Sequence, residues 1–335
     1  MNEITVDQIT GPARPSTAVD EPRETFPGTK PRMLLIVNPF ATTVSGRLKN
    51  LVVYALRGRY DIEAVETQRP NHATDLTREA VGEGFDLVVS FGGDGTLNEA
   101  ANGLAGSNLP LSVLPGGCTN VVCRMLGIPT DVVDATEHLL QLADDLRPRR
   151  LDLGRVNGRY FVFSSGVGLD ADATRWVDDH PRLKARNGDL AFTYAALRSY
   201  FRDYRGRPPR LEAEVGGERV PGLSALVQNS DPFTYFRSYP LRVCDDIAMD
   251  DGTISMVVMR RASLALDAPG ILWRLFTPKG RLAQHRKAAS FPRIERAIVR
   301  SLDGVDLPVE VDGDYVGAHR EVTYEVAANS ILMVA

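Results

Sequence analysis

The chain has 335 residues and a formal net charge of −4, so its length suits two domains of ordinary size and its charge gives no general affinity for nucleic acid. Its three cysteines form no CxxC pair, which argues against a disulfide framework or structural zinc and favours a reducing cytoplasm. No apolar run approaches the roughly 18–20 residues that a bilayer span requires, so we expect a cytoplasmic protein without a transmembrane helix.

The first part of the chain alternates between predicted strands and predicted helices. Residues 1–31 contain five prolines among polar residues, which predicts a disordered tail. The elements that follow are strand 33–37, helix 46–56, strand 62–66, helix 73–81, strand 85–90, a helix from 96, strand 111–114 and helix 135–146. This alternation is typical of a parallel sheet with helices on its faces, and it predicts an α/β domain over residues 32–150.

After residue 150 the pattern changes to short strands separated by turn residues. The predicted strands are 160–164, 210–215, 224–228 and 253–259, and one helix over 189–201 interrupts them. These runs predict a second, mainly antiparallel β-sandwich domain over residues 151–317. The C-terminal segment, about 318–335, is expected to complete the α/β domain.

A glycine-rich turn, Phe91-Gly92-Gly93-Asp94-Gly95-Thr96-Leu97-Asn98-Glu99, follows the predicted strand 85–90. Glycines let the backbone approach a ligand closely, and a helix N-terminus presents free N–H groups to anions. Thr96 and Glu99 have the spacing of a capping box, which predicts that the helix begins at Thr96. Asp94 is placed to meet a magnesium ion carried by a phosphate, so the turn predicts a nucleotide site.

Other phosphate-binding motifs are absent or weak. The Walker pattern G-x-x-x-x-G-K-[ST] does not occur in the chain, and residues 166–171 match a dinucleotide fingerprint without a clear βαβ context. An isolated Gly-Gly-Asp-Gly can also be an ordinary loop. Other segments of the chain therefore decide whether the glycine turn has a function.

Six segments in order resemble the diacylglycerol kinase catalytic-domain family, which includes bacterial lipid kinases, sphingosine kinases and ceramide kinase. They are Val37-Asn38-Pro39 with Ser45-Gly46, residues 67–73, the glycine turn, residues 114–120, Met249-Asp250-Asp251-Gly252 and Val311-Asp312-Gly313-Asp314. The resemblance covers roughly residues 32–335. It implies that residues 32–150 bind nucleotide, that residues 151–317 bind lipid, and that ATP and magnesium act in the cleft between them.

By this resemblance, a set of loop and helix-start residues surrounds ATP. The set is Asn38, Pro39, Ser45, Gly46, Thr67, Gly92, Gly93, Asp94, Gly95, Thr96, Asn98, Gly117 and Cys118. Three positions depart from the family pattern: Cys118 stands where Thr or Ser is common, Val121 replaces an acid, and Asp314 is one methylene shorter than the usual Glu. A thiol donates a poorer hydrogen bond than a hydroxyl, which bears on the donor nucleotide and the rate.

The catalytic carboxylates implied by the resemblance are Asp312, Asp94 and Asp314. Residues two apart on a strand face the same way, so Asp312 and Asp314 are expected to reach one site. We expect Asp312 to be the base, with Asp94 and Asp314 organising magnesium, although sphingosine kinases are described with the Asp94 equivalent as base. Asp312-Gly313 also fits an ordinary hairpin turn.

A second magnesium site is implied near residue 251. Bacterial members bind a structural magnesium there, and the match assigns a carboxylate to Asp251 and backbone carbonyls to Ala248 and Thr253. Hard oxygen ligands suit this ion. A hydrogen-bonded Asp-Gly turn is the alternative.

The acceptor is expected to be a membrane lipid, and diacylglycerol is favoured. Sphingosine kinases place a carboxylate against the substrate amine, and Thr174 holds that place here, with Asp172 close by. Two basic and aromatic segments, residues 273–300 and 200–210, are expected to give peripheral contact with the inner face of the membrane. A solvated charged face is the alternative for each segment, and a homodimer is left open.

Two rival functions share the glycine turn. An NAD kinase has the same turn and a two-domain plan, but Asp312-Gly313-Asp314 and residues 115–120 argue against it. A lipid- or nucleotide-binding regulator without turnover is the second rival. The retained carboxylates argue against a regulator, while Cys118 and Val121 are compatible with one.

Overall fold

A computed structural model describes residues 30–180, 183, 194–204, 207–245, 247–260, 264–277 and 279–335. The predicted tail lies almost entirely outside the described residues, and so does the first part of the helix predicted over 189–201. Residues 194–199 are helical, and the π-helical turn Tyr200–Tyr204 follows them. In the described ranges no helix is both long and apolar enough to cross a bilayer.

The N-terminal part is an α/β domain, as predicted. Its elements alternate in the order β1 Arg32–Val37, α1 Gly46–Leu56, β2 Asp61–Glu66, α2 His72–Ala80, β3 Leu87–Gly92, α3 Asp94–Leu104, β4 Leu111–Pro115, α4 Val121–Leu126 and α5 Val132–Leu142. The prediction placed α5 three residues too late, because the Asp131 carboxylate caps it by accepting from the N–H groups of Val133 and Asp134. The short helix α4 was not predicted.

Strands β2, β1, β3 and β4 lie side by side in that order and all run parallel. β1, β3 and β4 are buried along nearly their whole length, which explains why their sequences are continuous apolar runs. In this register Val37 pairs with Phe91 and Gly92 pairs with Pro115. The carboxyl ends of the strands, and the loops that follow them, therefore meet at one edge of the sheet.

The C-terminal part is rich in antiparallel strands. Its elements are β5 Arg149–Val156, β6 Arg159–Phe161, β7 Ser164–Gly168, α6 Leu169–Asp178, β8 Leu211–Val215, β9 Glu218–Gly222, β10 Ser224–Gln228, β11 Thr234–Phe236, β12 Tyr239–Leu241, β13 Ile254–Met259, α7 Leu264–Leu275, β14 Ala288–Ile294, β15 Arg296–Ser301, β16 Leu307–Val311, β17 Asp314–His319 and β18 Glu321–Met333. Six of these strands form an antiparallel sheet in the order β14-β13-β10-β7-β16-β17.

The long strand β18 connects the two parts. Near its start it pairs with β15, along its length it pairs with β5, and Met333 near its end pairs in parallel with Leu111 of β4. The first sheet therefore continues from the parallel strands into β18, β15, β8 and β9. Inward side chains of β8, β15 and β18 share one apolar cluster with β7, β10, β13 and β16, so the two sheets pack as a sandwich.

Helices α2 and α3 pack at unusually close range because Gly103 faces α2. A Cβ atom at position 103 would overlap the Thr77 hydroxyl and would lie 2.5 Å from the Thr74 carbonyl oxygen. The carbonyl belongs to the α2 backbone and cannot rotate away. The position of α3, which carries the glycine turn, thus depends on this glycine.

We expect Gly103→Ala to lower the free energy of unfolding by ~1–3 kcal/mol, since the added methyl group must push α2 and α3 apart. Urea denaturation measures the effect. Gly46→Ala is the matched control: nothing lies within 4 Å of a Cβ there, so its effect should stay below ~1 kcal/mol. A Gly103→Ala protein as stable as the parent would contradict the close packing.

Candidate functional site

Two glycine loops touch at the carboxyl edge of the parallel strands. The Gly116 N–H donates to the Gly92 carbonyl oxygen at 2.7 Å. A Cβ at Gly116 would lie 2.9 Å from the Gly92 Cα, and one at Gly117 would lie 2.8 Å from the Gly93 Cα. Any side chain at these positions would force the loops apart, so glycine is needed for the backbones to meet.

Asn38 ties the loop after β1 to the start of α3. Its amide donates to the Thr96 Oγ1 at 3.0 Å, and its Oδ1 accepts from the Phe40 N–H. Asn120 fixes the neighbouring loop in the same way, because its side chain both accepts from and donates to the Gly117 backbone at 2.9 Å. Both asparagines organise backbone around the glycines.

The predicted capping box is wrong. Helix α3 begins at Asp94 rather than Thr96, its N-cap is Gly93, and no side chain caps it. Glu99 instead accepts from the N–H groups of Asn71 and Ala73, at 2.8 and 3.2 Å, and so caps α2. The N-cap of α3 thus makes no side-chain hydrogen bond, and the start of the helix with the adjoining glycine loop forms a backbone surface suited to an anion.

Asp94 lies in the first turn of α3, and it also forms a hydrogen bond with α4. The half-buried carboxylate accepts from the Val122 N–H at 3.3 Å. Removal from water raises the pKa of Asp94 to about 6, backbone hydrogen bonds from α4 oppose the shift, and the nearby charges of Asp312 and Asp314 add to it. The negative charges of these three carboxylates therefore repel one another, and a bound cation would relieve this repulsion.

Asp312 lies in a two-residue hairpin turn between β16 and β17. Asp312 and Gly313 both have left-handed backbone angles, with φ of 49° and 84°, as a type I′ turn requires. The Asp312 carboxylate accepts from the N–H groups of Val162, Phe163 and Ser164 at 2.8, 3.0 and 3.1 Å, and from the Asn98 amide at 2.8 Å. Burial nevertheless raises the pKa of Asp312 to about 6.

Asp314 is the first residue of β17 and is half-buried. A Cβ at Gly95 would overlap its carboxylate, so Asp314 lies directly over the first turn of α3. The expectation that strand alternation aims Asp312 and Asp314 together is wrong, because Asp312 is in the turn and not on the strand. The hairpin itself brings both carboxylates to α3.

A polar cluster that was not predicted from the sequence joins α3 to β6. Asn102 donates to the Asn98 and Tyr160 carbonyl oxygens, at 2.8 and 3.0 Å, and accepts from the Tyr160 N–H. Arg159 donates to the Asn98 Oδ1 at 3.0 Å. The four-residue spacing of Asn98 and Asn102 on one helix face was the available signal.

Two neighbouring carboxyl groups lie next to the hairpin, Asp170 of α6, which is half-buried, and Glu310 of β16, which is buried. A Cβ at Gly166 would lie 2.5 Å from the Asp170 Oδ2 and 2.9 Å from the Glu310 Oε1, so we expect the two groups to share one proton. Glu310 also accepts from the Gly313 N–H at 2.9 Å. Burial raises the pKa of Asp170 to about 6, and burial together with the Asp170 charge raises the pKa of Glu310 well above its usual range. The pair holds the turn that carries Asp312.

The remaining residues expected at the nucleotide lie at the same edge. Ser45 caps α1 by accepting from the Leu48 N–H at 3.2 Å, and Gly46 is the first residue of α1. Pro39 and Cys118 are exposed, and the Cys118 thiol lies 3.4 Å from the Thr42 hydroxyl. Thr67 is buried at the end of β2, where its N–H donates to the Val37 carbonyl.

Asp251, Ala248 and Thr253 do lie together, in a hydrogen-bonded turn. The Asp251 carboxylate accepts from the Ala248 N–H, the Thr253 N–H and the Thr253 hydroxyl, at 3.3, 3.0 and 2.7 Å. Within the described ranges no three His, Cys, Asp or Glu side chains converge enough to hold a metal by themselves. A magnesium ion at either predicted site would need water, carbonyl or phosphate ligands as well.

Comparison with known proteins gives one consistent result. Residues 32–156 match the family model described as the diacylglycerol kinase catalytic domain. A protein named diacylglycerol kinase from Bacillus subtilis is 32% identical over 213 residues, and the alignment covers 62% of this chain and 65% of that protein. Another of that name, from Staphylococcus epidermidis (strain ATCC 12228), is 26% identical over 304 residues, covering 85% and 86%.

A solved structure of a diacylglycerol kinase from Bacillus anthracis has the same fold. It superposes with a TM-score of 0.65 at 19% identity, covering 90% of this chain and 96% of the other. At this identity the likeness concerns the fold alone.

We expect Glu310→Gln to change the pH dependence of stability. The wild-type pair keeps a proton that the unfolded chain releases above pH ~4, so wild-type stability should fall as pH rises from ~4 through 6. Glutamine can donate to Asp170 and still accept from Gly313 without that proton. The variant should therefore gain on the order of 2 kcal/mol over wild type at pH ~8 and little at pH ~5.

Thermal unfolding followed across this pH range is the measurement, with Glu218→Gln on exposed β9 as the control. Parallel pH profiles for wild type and Glu310→Gln would contradict the shared proton.

Proposed function

We propose that this chain, which matches the diacylglycerol kinase catalytic-domain model over residues 32–156, is a lipid kinase that transfers the γ-phosphoryl group of ATP to the free hydroxyl of diacylglycerol. The observation that carries this proposal is the convergence of Asp94, Asp312 and Asp314 on the uncapped start of α3 beside two glycine loops. Phosphoryl transfer needs little beyond positioning, amide donors and compensation of charge. The products are ADP and phosphatidic acid.

The backbone of the two glycine loops is suited to the ATP phosphates. The N-cap of α3 makes no side-chain hydrogen bond, and Gly116 and Gly117 allow the second glycine loop to lie directly against Gly92 and Gly93 at the start of this helix. Asn38 and Asn120 hold the loops in shape through their backbone hydrogen bonds. We assign the triphosphate to this surface.

Asp94 is the carboxylate that we assign to magnesium. The ion, carried by ATP, would supply positive charge that compensates the phosphate oxygens as they transfer. Asp94 fits this role because its charge is partly desolvated and lies beside two further carboxylates. Magnesium is commonly held by one or two carboxylates together with phosphate and water oxygens, which agrees with the small number of acidic ligands at this site.

Asp314, rather than Asp312, is the group that we assign to the acceptor proton. Both Asp312 oxygens already accept two hydrogen bonds from protein groups, so the carboxylate is committed to holding the hairpin. Asp314 is half-buried and lies over the first turn of α3. In the proposed step, the lipid hydroxyl gives its proton to Asp314. At the same time the lipid oxygen bonds to the γ-phosphorus, and the bond between the γ-phosphorus and the ADP oxygen breaks.

A neutral lipid alcohol fits the acceptor better than a sphingoid base. Asp172 accepts from the Tyr204 hydroxyl at 2.6 Å and pairs with Arg175 at 3.0 Å, so its charge is already compensated. Thr174 is buried. A substrate amine would have to displace Arg175 to reach a carboxylate here.

The acceptor assignment is tested by ATP consumption with magnesium in mixed micelles that carry diacylglycerol, sphingosine or ceramide, and in buffer that contains NAD. We expect turnover with diacylglycerol and phosphatidic acid as the product. Turnover with NAD alone would identify an NAD kinase. ATP binding without turnover on any acceptor would identify a regulator.

We expect Asp94→Asn and Asp314→Asn each to lower kcat by ~10²-fold or more with unchanged thermal stability, because each removes charge or proton acceptance needed in the transition state. Asp312→Asn should lower both kcat and the melting temperature, since an amide cannot accept all four hydrogen bonds. Asp61→Asn, exposed on β2, is the control. An Asp314→Asn enzyme with near-normal kcat would refute the assignment of the base.

A further inference from the structure

A surface rich in apolar side chains lies at the end of α7 and on the β11–β12 hairpin. It consists of Leu272, Trp273 and Phe276 together with Phe236 and Tyr239, and we call it the aromatic surface. Trp273 is 64% exposed and Leu272 is 53% exposed. The Phe276 ring packs against Phe236 and Tyr239, with centroids 5.6 and 5.8 Å apart, so helix and hairpin form one continuous patch.

Packing among the described residues does not explain this exposure. The opposite side of α7 is already anchored, since Ile271 and Leu275 pack on a buried cluster that includes Val257 and Leu282. An apolar second side facing water is unfavourable, and contiguous exposed apolar patches usually mark interaction sites. We therefore expect the aromatic surface to be an interaction site that another molecule covers.

The segment of the chain that contains α7 is rich in positive charge. Residues 253–294 contain eight Lys or Arg and a single acid, Asp267, in a chain whose net charge is −4. Asp267 is buried and paired with Arg286 at 2.7 Å. Arg237, at the hairpin tip, and Lys279, just after α7, are both exposed. Exposed aromatic rings next to cations match the chemistry of an anionic bilayer interface.

The hairpin links the aromatic surface to the site. Successive residues on a strand face opposite ways, so Tyr235 faces away from Phe236. Its ring lies 5.0 Å from the Arg124 guanidinium of α4, and α4 supplies the N–H that Asp94 accepts. A bilayer against one face of the β11–β12 hairpin would thus be separated by one layer of side chains from α4, which donates a hydrogen bond to Asp94.

We propose that the aromatic surface docks the enzyme on anionic phospholipid membranes, with Trp273 and Leu272 entering the interface and Arg237 and Lys279 contacting lipid phosphates. The partner follows from the proposed function, because a substrate that stays in the bilayer requires the enzyme to approach it. Docking itself is measured independently of turnover.

The test compares full-length variants on vesicles of phosphatidylcholine with or without phosphatidylglycerol, in a sedimentation assay. Leu272→Gln/Trp273→Gln should bind anionic vesicles ~10-fold or more weakly, because two exposed apolar side chains no longer enter the interface. Leu51→Gln/Tyr54→Gln, an exposed apolar pair on α1, is the matched control and should bind like wild type. Arg237→Glu/Lys279→Glu should lose mainly the preference for phosphatidylglycerol.

Tryptophan fluorescence gives a second reading of docking. The chain has two tryptophans, so in Trp176→Phe the emission comes from Trp273 alone. Anionic vesicles should shift this emission to shorter wavelength. Kinase activity on short-chain diacylglycerol dispersed in detergent should be the same in wild type and in Leu272→Gln/Trp273→Gln.

Three results would overturn the proposal. The first is vesicle binding by Leu272→Gln/Trp273→Gln equal to that of wild type, and the second is an equal loss in the α1 control pair. The third is a wild-type dimer that the α7 substitutions dissociate, since the aromatic surface would then be covered by a second copy. Vesicle binding that depends on Trp273 in a protein inactive on every lipid would refute the proposed function and leave docking standing.

Discussion

The arrangement of the rest of the site depends on the hydrogen bonds of the Asp312 carboxylate. The carboxylate accepts hydrogen bonds from three N–H groups at the end of the β6–β7 connection and from one amide of α3, so a single side chain connects the hairpin, the antiparallel sheet and helix α3. The Asp312 N–H donates back to the Ser164 carbonyl oxygen, which fixes the turn in both directions. An unsatisfied buried carboxylate is costly, and this cost makes the position of the hairpin, and hence of Asp314, well determined.

Close backbone approach is the second constraint. Gly92 and Gly116 touch across the sheet edge, Gly95 leaves room for the Asp314 carboxylate, and Gly103 lets α3 lie against α2. The contacts at Gly116 and Gly103 involve backbone atoms, which cannot move aside easily, so a methyl group at either position would displace the loops or the helix. The glycines therefore position α3 relative to β4, to β17 and to α2, and they do so without contributing any chemical group.

The acidic side chains around the hairpin have different roles. The Asp312 carboxylate accepts four hydrogen bonds, Asp170 and Glu310 are neighbours that we expect to share a proton, and Asp314 lies over the first turn of α3, which contains Asp94. These groups are close in space, and burial raises the pKa of Asp94, Asp170 and Asp312 to about 6. In the proposed function, a cation bound with the nucleotide would relieve the repulsion between Asp94 and Asp314, whereas a shared proton would relieve it between Asp170 and Glu310.

Local patterns in the sequence were sufficient for the class of fold and for the place of the glycine turn. Apolar runs predicted the parallel strands, and the sequence pattern predicted the bounds of α1. The order of the motif segments indicated the family. Tertiary structure decided the pairings that no local pattern encodes. Glu99 caps α2 rather than its own helix, and Asp312 bonds to residues some 150 positions away. The reason is physical: periodicity and capping depend on neighbours in sequence, whereas the partner of a buried polar group depends on which distant elements the folded sheets bring into contact.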